Sequence, residues 1–183
     1  MNKTNVICVF PIYSGIFLNK DSKQRLLSKT GSTAPKYPIH NAHHITLRFD
    51  PGQTINVEWG AYVDLQVIRH VWDSKCQVVE VAPSELFYKK DGTQTSTTDH
   101  AEMINLLNTD ATRFHITISK VKELDSKTTH QHVEQLLNTS TEDIVKNGGG
   151  VEDLSSANIV VRGFCGMCCS SRVENKRGTP VRK

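Results

Sequence analysis

Short apolar runs and stretches of alternating apolar and polar residues, bounded by Gly, Pro, Asp or Asn, divide this chain into strands with a few helices between them. Residues 6–10 read as a buried strand that continues extended through residues 12–18. Asp21 or Ser22 can cap a short helix to about Ser28, and residues 30–38, with Gly31, Pro35 and Pro38, form a loop. A strand from His44 to Phe49 closes at the Asp50-Pro51-Gly52 turn. Residues 59–71 and 76–81 predict a long hairpin about Asp73-Ser74-Lys75, ended by Pro83. The polar stretch 89–98 predicts a flexible loop or a poorly packed excursion. A helix over 99–108 would bury Ala101, Ile104, Leu106 and Leu107. A second strand at His115, a helix over 128–137, a turn at Gly148-Gly149-Gly150 and a final strand over 157–164 complete the series.

Two of these strands carry the same pattern, His44-Ile45-Thr46-Leu47 and His115-Ile116-Thr117-Ile118. Successive strand residues point to opposite faces, so each His projects with its Thr while Ile, Leu or Ile enters the core. Each strand follows a helix, which suggests a structural duplication of strand, helix and catalytic strand. Side by side, the two would set two imidazoles and two hydroxyls around one cleft. The bland alternative is a pair of core strands whose histidines bond to backbone.

Length and composition set the frame for that chemistry. A chain of 183 residues, 37% hydrophobic and 22% charged, fits one soluble domain. No apolar run is long enough to cross a bilayer, and the N-terminal apolar stretch is too short for a signal peptide, so the expectation is a cytoplasmic protein with no membrane contact. The net charge of +3 concentrates in Arg172, Lys176, Arg177, Arg182 and Lys183, leaving a nearly neutral body. Such a body suits a ligand of few phosphates better than a long polyanion. The expected organisation is a catalytic domain over residues 1–164 and a flexible basic tail over 165–183. Cys8, Cys76, Cys165, Cys168 and Cys169 are an odd number and read as reduced thiols.

Near pH 7 neutral imidazole accepts a proton and imidazolium donates one, so His44 and His115 can serve as base and acid without a metal or other cofactor. Thr46 and Thr117 would direct hydroxyl donors at the non-bridging oxygens of a phosphate, although strand propensity alone also explains a threonine. Metal ligation is poorly supported. His43 and His44 point to opposite faces, no carboxylate or cysteine cluster stands in sequence near His40 with His44 or near His130 with His132, and Cys165-Gly166-Met167-Cys168-Cys169 is half of a zinc site. Tyr13, just past Pro11, and Trp72, at a strand end, are candidates to stack on a base, with Trp59 a third; core packing is the competing role. Arg113 should share the face of His115 and hold a phosphate, or else lie solvated at a strand edge. Glu142 could accept from a base edge, or simply serve a helix start.

Two His-apolar-Thr-apolar motifs in a chain of this size resemble the 2H phosphoesterase superfamily. The resemblance implies an α+β, two-lobed fold with pseudo-twofold antiparallel sheets, flanking helices and one central cleft, and metal-independent catalysis by both histidines. Residues 6–17 together with Ala42-His43-His44-Ile45-Thr46-Leu47 further resemble the phage anti-CBASS nucleases. That likeness implies a small cyclic di- or trinucleotide partner, with His44 and His115 moving protons, Thr46 and Thr117 on the phosphate, and the 2′-hydroxyl attacking a 3′–5′ linkage. Long nucleic acid would not be required. The alternatives are an enzyme of RNA ends carrying 2′,3′-cyclic phosphates or 2′–5′ linkages, a protein that sequesters a nucleotide without turning it over, and a nucleic-acid binder acting through its tail. Base preference, ring size and oligomeric state are not legible at this level.

Overall fold

The computed structural model describes residues 11–28, 31–49, 61–109 and 111–169. The expected strand over 6–10, the Asp50-Pro51-Gly52 turn, Trp59 and the basic cluster from Arg172 lie outside them. Among the described residues, nine strands hydrogen-bond into a single antiparallel sheet flanked by four helices, an α+β architecture. The path runs β2 (Ile39–His40), β7 (Phe114–Lys120), β5 (Cys76–Lys90), β4 (Tyr62–Trp72), β9 (Val160–Cys169), β1 (Pro11–Leu18) and β3 (His44–Phe49). Two short strands lie off it, β6 (Thr93–Thr97) beside β5 and β8 (Gly150–Asp153) beside β4. Where two sheets were expected there is one, because β9 pairs with both β1 and β4 and joins the halves.

The hairpin prediction holds, with three corrections around it. Pro83 does not end β5, because it sits at a register shift opposite Leu65, where a missing ladder donor is tolerated. Residues 93–97 are not a loop but β6, an edge strand with no buried side chain, held by its backbone ladder to β5, so the excursion is poorly packed yet ordered. The expected domain boundary at residue 164 falls inside β9, which continues to Cys169 and buries Cys165 in the core. Paired backbone and a buried side chain do not make a tail at 165–169; residues 170–183 are outside the described set.

Helices α1 (Lys20–Leu26) and α2 (His100–Leu107) cover one face of the sheet. Asn19 caps α1 and Asp99 caps α2, each side chain accepting from a backbone N–H three residues on. Leu26, Met103 and Leu107 then pack on Ile16, Ile45, Leu47, Val63, Leu65, Val79 and Ile116. Ala101, expected inside, is exposed, and Met103 takes its place. On the opposite face α3 (Ser126–Asn138) and α4 (Thr141–Lys146) pack over Val71, Cys76 and Val78 through Val133, Leu136, Leu137 and Ile144.

The sheet's path also explains why the two motif strands approach each other. β2 and β3 stand at opposite ends of the path yet are joined by residues 41–43 alone. Asn41 N–H donates to the Ile118 carbonyl and Ala42 N–H to the Thr117 carbonyl, both at 2.8 Å, so the chain follows β7 until it is two residues short of His44. Ala42, fully buried at φ +48°, then turns it away to pair with β1. An alanine in this left-handed region costs about 1–2 kcal/mol, and the surrounding bonds hold it there. The second motif strand thereby fixes where the first begins.

β1 meets β3 across a register shift at Ser14 and Gly15, with Gly15 opposite Thr46. A Cβ on Gly15 would lie 2.6 Å from the Ile45 carbonyl oxygen, so only glycine admits this approach. Gly15→Ala is expected to lower stability by about 1–3 kcal/mol and to displace β3, read as a drop in melting temperature. An unchanged melting temperature would show that β1 and β3 have room to separate.

Candidate active site

His44, Thr46, His115 and Thr117 line one cleft of about 220 Å³, shared with Tyr13, Asn41, His43, Phe49, Lys120, Thr129 and His130. The alternation expected of each motif is present. Ile45, Leu47, Ile116 and Ile118 are buried, while the His and Thr between them are half-buried on the cleft side. β3 and β7 form the floor, and α3 supplies Thr129 and His130 from above.

Both motif imidazoles are held neutral. Burial, and then the neighbouring His43, push His44 down to about 4. Burial also takes His115 down to about 4, helped by His130 and by His44 itself, against a hydrogen bond to the Arg113 backbone and the Glu80 carboxylate. That the two rings influence each other is consistent with one shared site. The backbone bond favours the protonated ring, so the His115 N–H donates to it; this fixes the tautomer and leaves the other nitrogen as an acceptor.

The Tyr13 ring stacks on His44, with centroids 4.8 Å apart and planes 25° from parallel. Burial and a hydrogen bond with Cys168 raise its phenol to about 12, which keeps it neutral. His115 lies 6.0 Å from His130, whose Nε2 is 3.2 Å from Glu134 one helical turn on. Lys120 brings a cation to the rim, its Nζ donating to the Leu124 carbonyl at 2.6 Å and the Thr129 hydroxyl at 3.0 Å. Lys23 adds a second cation, 2.8 Å from Nδ1 of His43.

The remaining expected site residues divide. Arg113 lines not this cleft but an adjoining depression of about 480 Å³ that shares Thr46, Phe49, His115 and His130 with it. Its guanidinium donates to the Leu137 carbonyl at 2.7 Å and stands 3.5 Å from Glu80, so it braces β7 against α3. Trp72 lines neither hollow: on β4 it pairs opposite Gln77 of β5, which pairs in turn opposite Ser119 of β7. It packs on His70 at 4.7 Å, under Lys36 Nζ at 4.4 Å, and Gly150 leaves room for its ring. Glu142 is exposed in the first turn of α4 and lines neither the cleft nor the depression; an acid there complements the helix N-terminus. His130, Lys120 and Asn41 escaped the sequence reading as cleft residues because only the packing of α3 and the path after β2 bring them in.

Among the described residues, Asp73, Cys76 and His132 place potential metal-ligand atoms within 4.8 Å of one another. Asp73 and Cys76 stand at the β4–β5 turn, His132 reaches them from α3, and none of the three lines the cleft. Their polar groups have other work. Asp73 accepts from the backbone of Lys75 and Cys76 and lies 2.7 Å from Nε2 of His132, and burial keeps the Cys76 thiol protonated, at about 12.

No protein-family model matches the chain, and no curated protein matches it. Among solved structures a fungal RNA kinase is similar, with a TM-score of 0.55 at 13% identity over 91% of this chain and 47% of the kinase chain. The chain thus spans about half the length of that structure. At such identity the likeness is one of fold. Among the described residues no helix is long and apolar enough to cross a membrane.

Proposed function

We propose that this protein is a metal-independent phosphodiesterase acting on a ribonucleotide phosphodiester, with His44 and His115 as the proton-transfer pair. The observation that carries the reading is that both histidines and both threonines of two distant motifs line one cleft. His115, its tautomer fixed by the Arg113 backbone, is the better proton acceptor, which leaves His44 as the donor. His115 takes the proton of the attacking hydroxyl, either a ribose 2′-OH or a water, and the oxygen–phosphorus bond forms. In the form of the site that carries one proton, His44 is the imidazolium and gives that proton to the departing oxygen as the second bond breaks. Thr46 and Thr117 hydroxyls donate to the non-bridging oxygens, where negative charge grows, and the Lys120 ammonium adds to that field. A binding protein needs no matched acid and base, which argues against pure sequestration.

Two substrates present such a phosphate. The resemblance of the N-terminal third to anti-CBASS nucleases favours a cyclic di- or trinucleotide, the ligand of a phage protein acting in the host cytoplasm. The fold shared with an RNA kinase favours an RNA, and among RNA ends the 2′,3′-cyclic phosphate is one that presents a phosphodiester. The protein, in excess EDTA, is to be incubated with both sets and the products weighed by mass spectrometry. New phosphomonoester ends, or opened rings, are expected from at least one set. Ligand recovered intact after long incubation would reduce the protein to a binder, and turnover that EDTA abolishes would end the two-histidine mechanism.

A further inference from the structure

Antiparallel sheets expose one face to water, and that face is ordinarily polar. Among the described residues, α3 and α4 cover the part of it near β5, β8 and the Val71 end of β4, and the remainder carries aromatic rings. Strand pairing sets His44 beside Phe17, Phe17 beside Phe164, Phe164 beside Tyr62, and Tyr62 beside Phe87, one residue from each of β3, β1, β9, β4 and β5. Strands lie about 4.8 Å apart, so this row extends on the order of 19 Å from the candidate base–acid pair. Its inner end is in ring contact with the cleft: Phe17 lies 5.8 Å from His44 and 6.2 Å from Tyr13. Phe17 and Phe164 stack at 6.2 Å with planes 29° apart, and Gly166, which has no Cβ, leaves room for the Phe17 ring. At the outer end Tyr62 is 49% and Phe164 42% exposed. Arg162, paired with Asp64, lies 5.3 Å over the Phe87 ring.

Large exposed rings on a sheet are costly in water and mark a binding surface when they are contiguous. The row is continuous with a cleft suited to a phosphodiester, and it offers flat π-faces with an arginine at its far end. Every nucleobase has a π-face, so such a surface holds a single strand with little regard to sequence. We infer that Phe17, Phe164 and Tyr62 form a base-stacking track for about two or three nucleotides of a single-stranded RNA that flank the phosphate bound between His44 and His115. The inference rests on the phosphodiesterase reading for its direction along the strand, and on the aromatic row alone for binding.

Two measurements separate those dependencies. The first is binding of a fluorescently labelled single-stranded oligoribonucleotide to the full chain carrying His44→Ala, read by anisotropy, which needs no turnover. Tyr62→Ala and Phe164→Ala in that background are expected to weaken it by about tenfold or more each. Phe164→Tyr, which keeps a ring, should bind as before, whereas the equally apolar Phe164→Leu should not. The second is the ratio of kcat/KM for a pentanucleotide over a mononucleotide, both ending in 2′,3′-cyclic phosphate. It should exceed ten in the native chain and approach one in Tyr62→Ala/Phe164→Ala. Loss of binding with no turnover of any substrate would sink the phosphodiesterase reading and leave the track standing. Undiminished binding in the alanine variants, retention by Phe164→Leu, or a self-association that these variants abolish would overturn the track.

Discussion

His44→Ala and His115→Ala each lower kcat by about 10²–10⁴-fold, the range in which one positioned proton donor or acceptor acts. The folded state survives both changes, because each ring faces the cleft while the flanking Ile45, Leu47, Ile116 and Ile118 hold the strands in the core. Circular dichroism and the melting temperature at pH 7.5 therefore stay near those of the native chain, which ties the loss to chemistry. The two histidines act on one phosphate, so their contributions do not add. The double variant should be scarcely slower than either single one. A product of the two separate losses would mean that the rings serve different steps or different sites.

Leaving-group chemistry assigns the roles. A p-nitrophenyl ester departs as a stable anion and needs little protonation, so it relieves the loss of the donor but not of the acceptor. His44→Ala is expected to recover most of its rate on that ester, and His115→Ala to recover little. The reverse pattern would exchange the two assignments while leaving the pair intact. Equal recovery in both would contradict any division of labour.

How much of this was legible in the chain depends on the range of the interaction. Thr46 follows His44 by one strand period and Thr117 follows His115, so each half-site is a local pattern and was readable. The helix over 99–108 and the 76–81 strand are equally local. That the half-sites meet depends on Asn41 and Ala42 running along β7 before turning into β3, a long-range pairing with no local signature. The same holds for His130, which reaches the cleft only because Val133, Leu136 and Leu137 dock α3 on the sheet. β6 was hidden for another reason. Thr93–Thr97 has no buried face and so no apolar alternation to detect, and its ladder to β5 is made of backbone alone. The 165–169 segment, rich in Gly and Cys, has little β propensity of its own and is a strand because β1 pairs with it. Trp72 and Glu142 illustrate the limit from the other side: a residue type fit for binding says nothing about whether its side chain reaches the site.

Acidity should separate binding from turnover. With both motif histidines near 4 in the free protein, against an ordinary 6.5, the form carrying one shared proton is scarce at neutral pH. Above the upper of the two values its population falls about tenfold per pH unit, so kcat/KM, which reports the free enzyme, should peak below pH 6. A bound phosphodiester brings a negative charge between the rings and raises both values. The kcat profile, which reports the complex, should therefore lie at least about one unit to the alkaline side. Stability moves the other way. A histidine whose folded value is depressed resists protonation that the unfolded chain accepts, so its contribution is full above pH 6.5 and is lost as pH falls toward 4. For the pair the loss is on the order of 3 kcal/mol once partial exposure to solvent is discounted. Denaturant midpoints measured from pH 7.5 to 4.5 should fall accordingly, and His115→Gln, which cannot titrate, should flatten part of that slope. Coincident kcat and kcat/KM profiles, or an optimum above pH 8, would show that the phosphate is not bound between these two rings; a midpoint indifferent to acid would show that they are not held neutral.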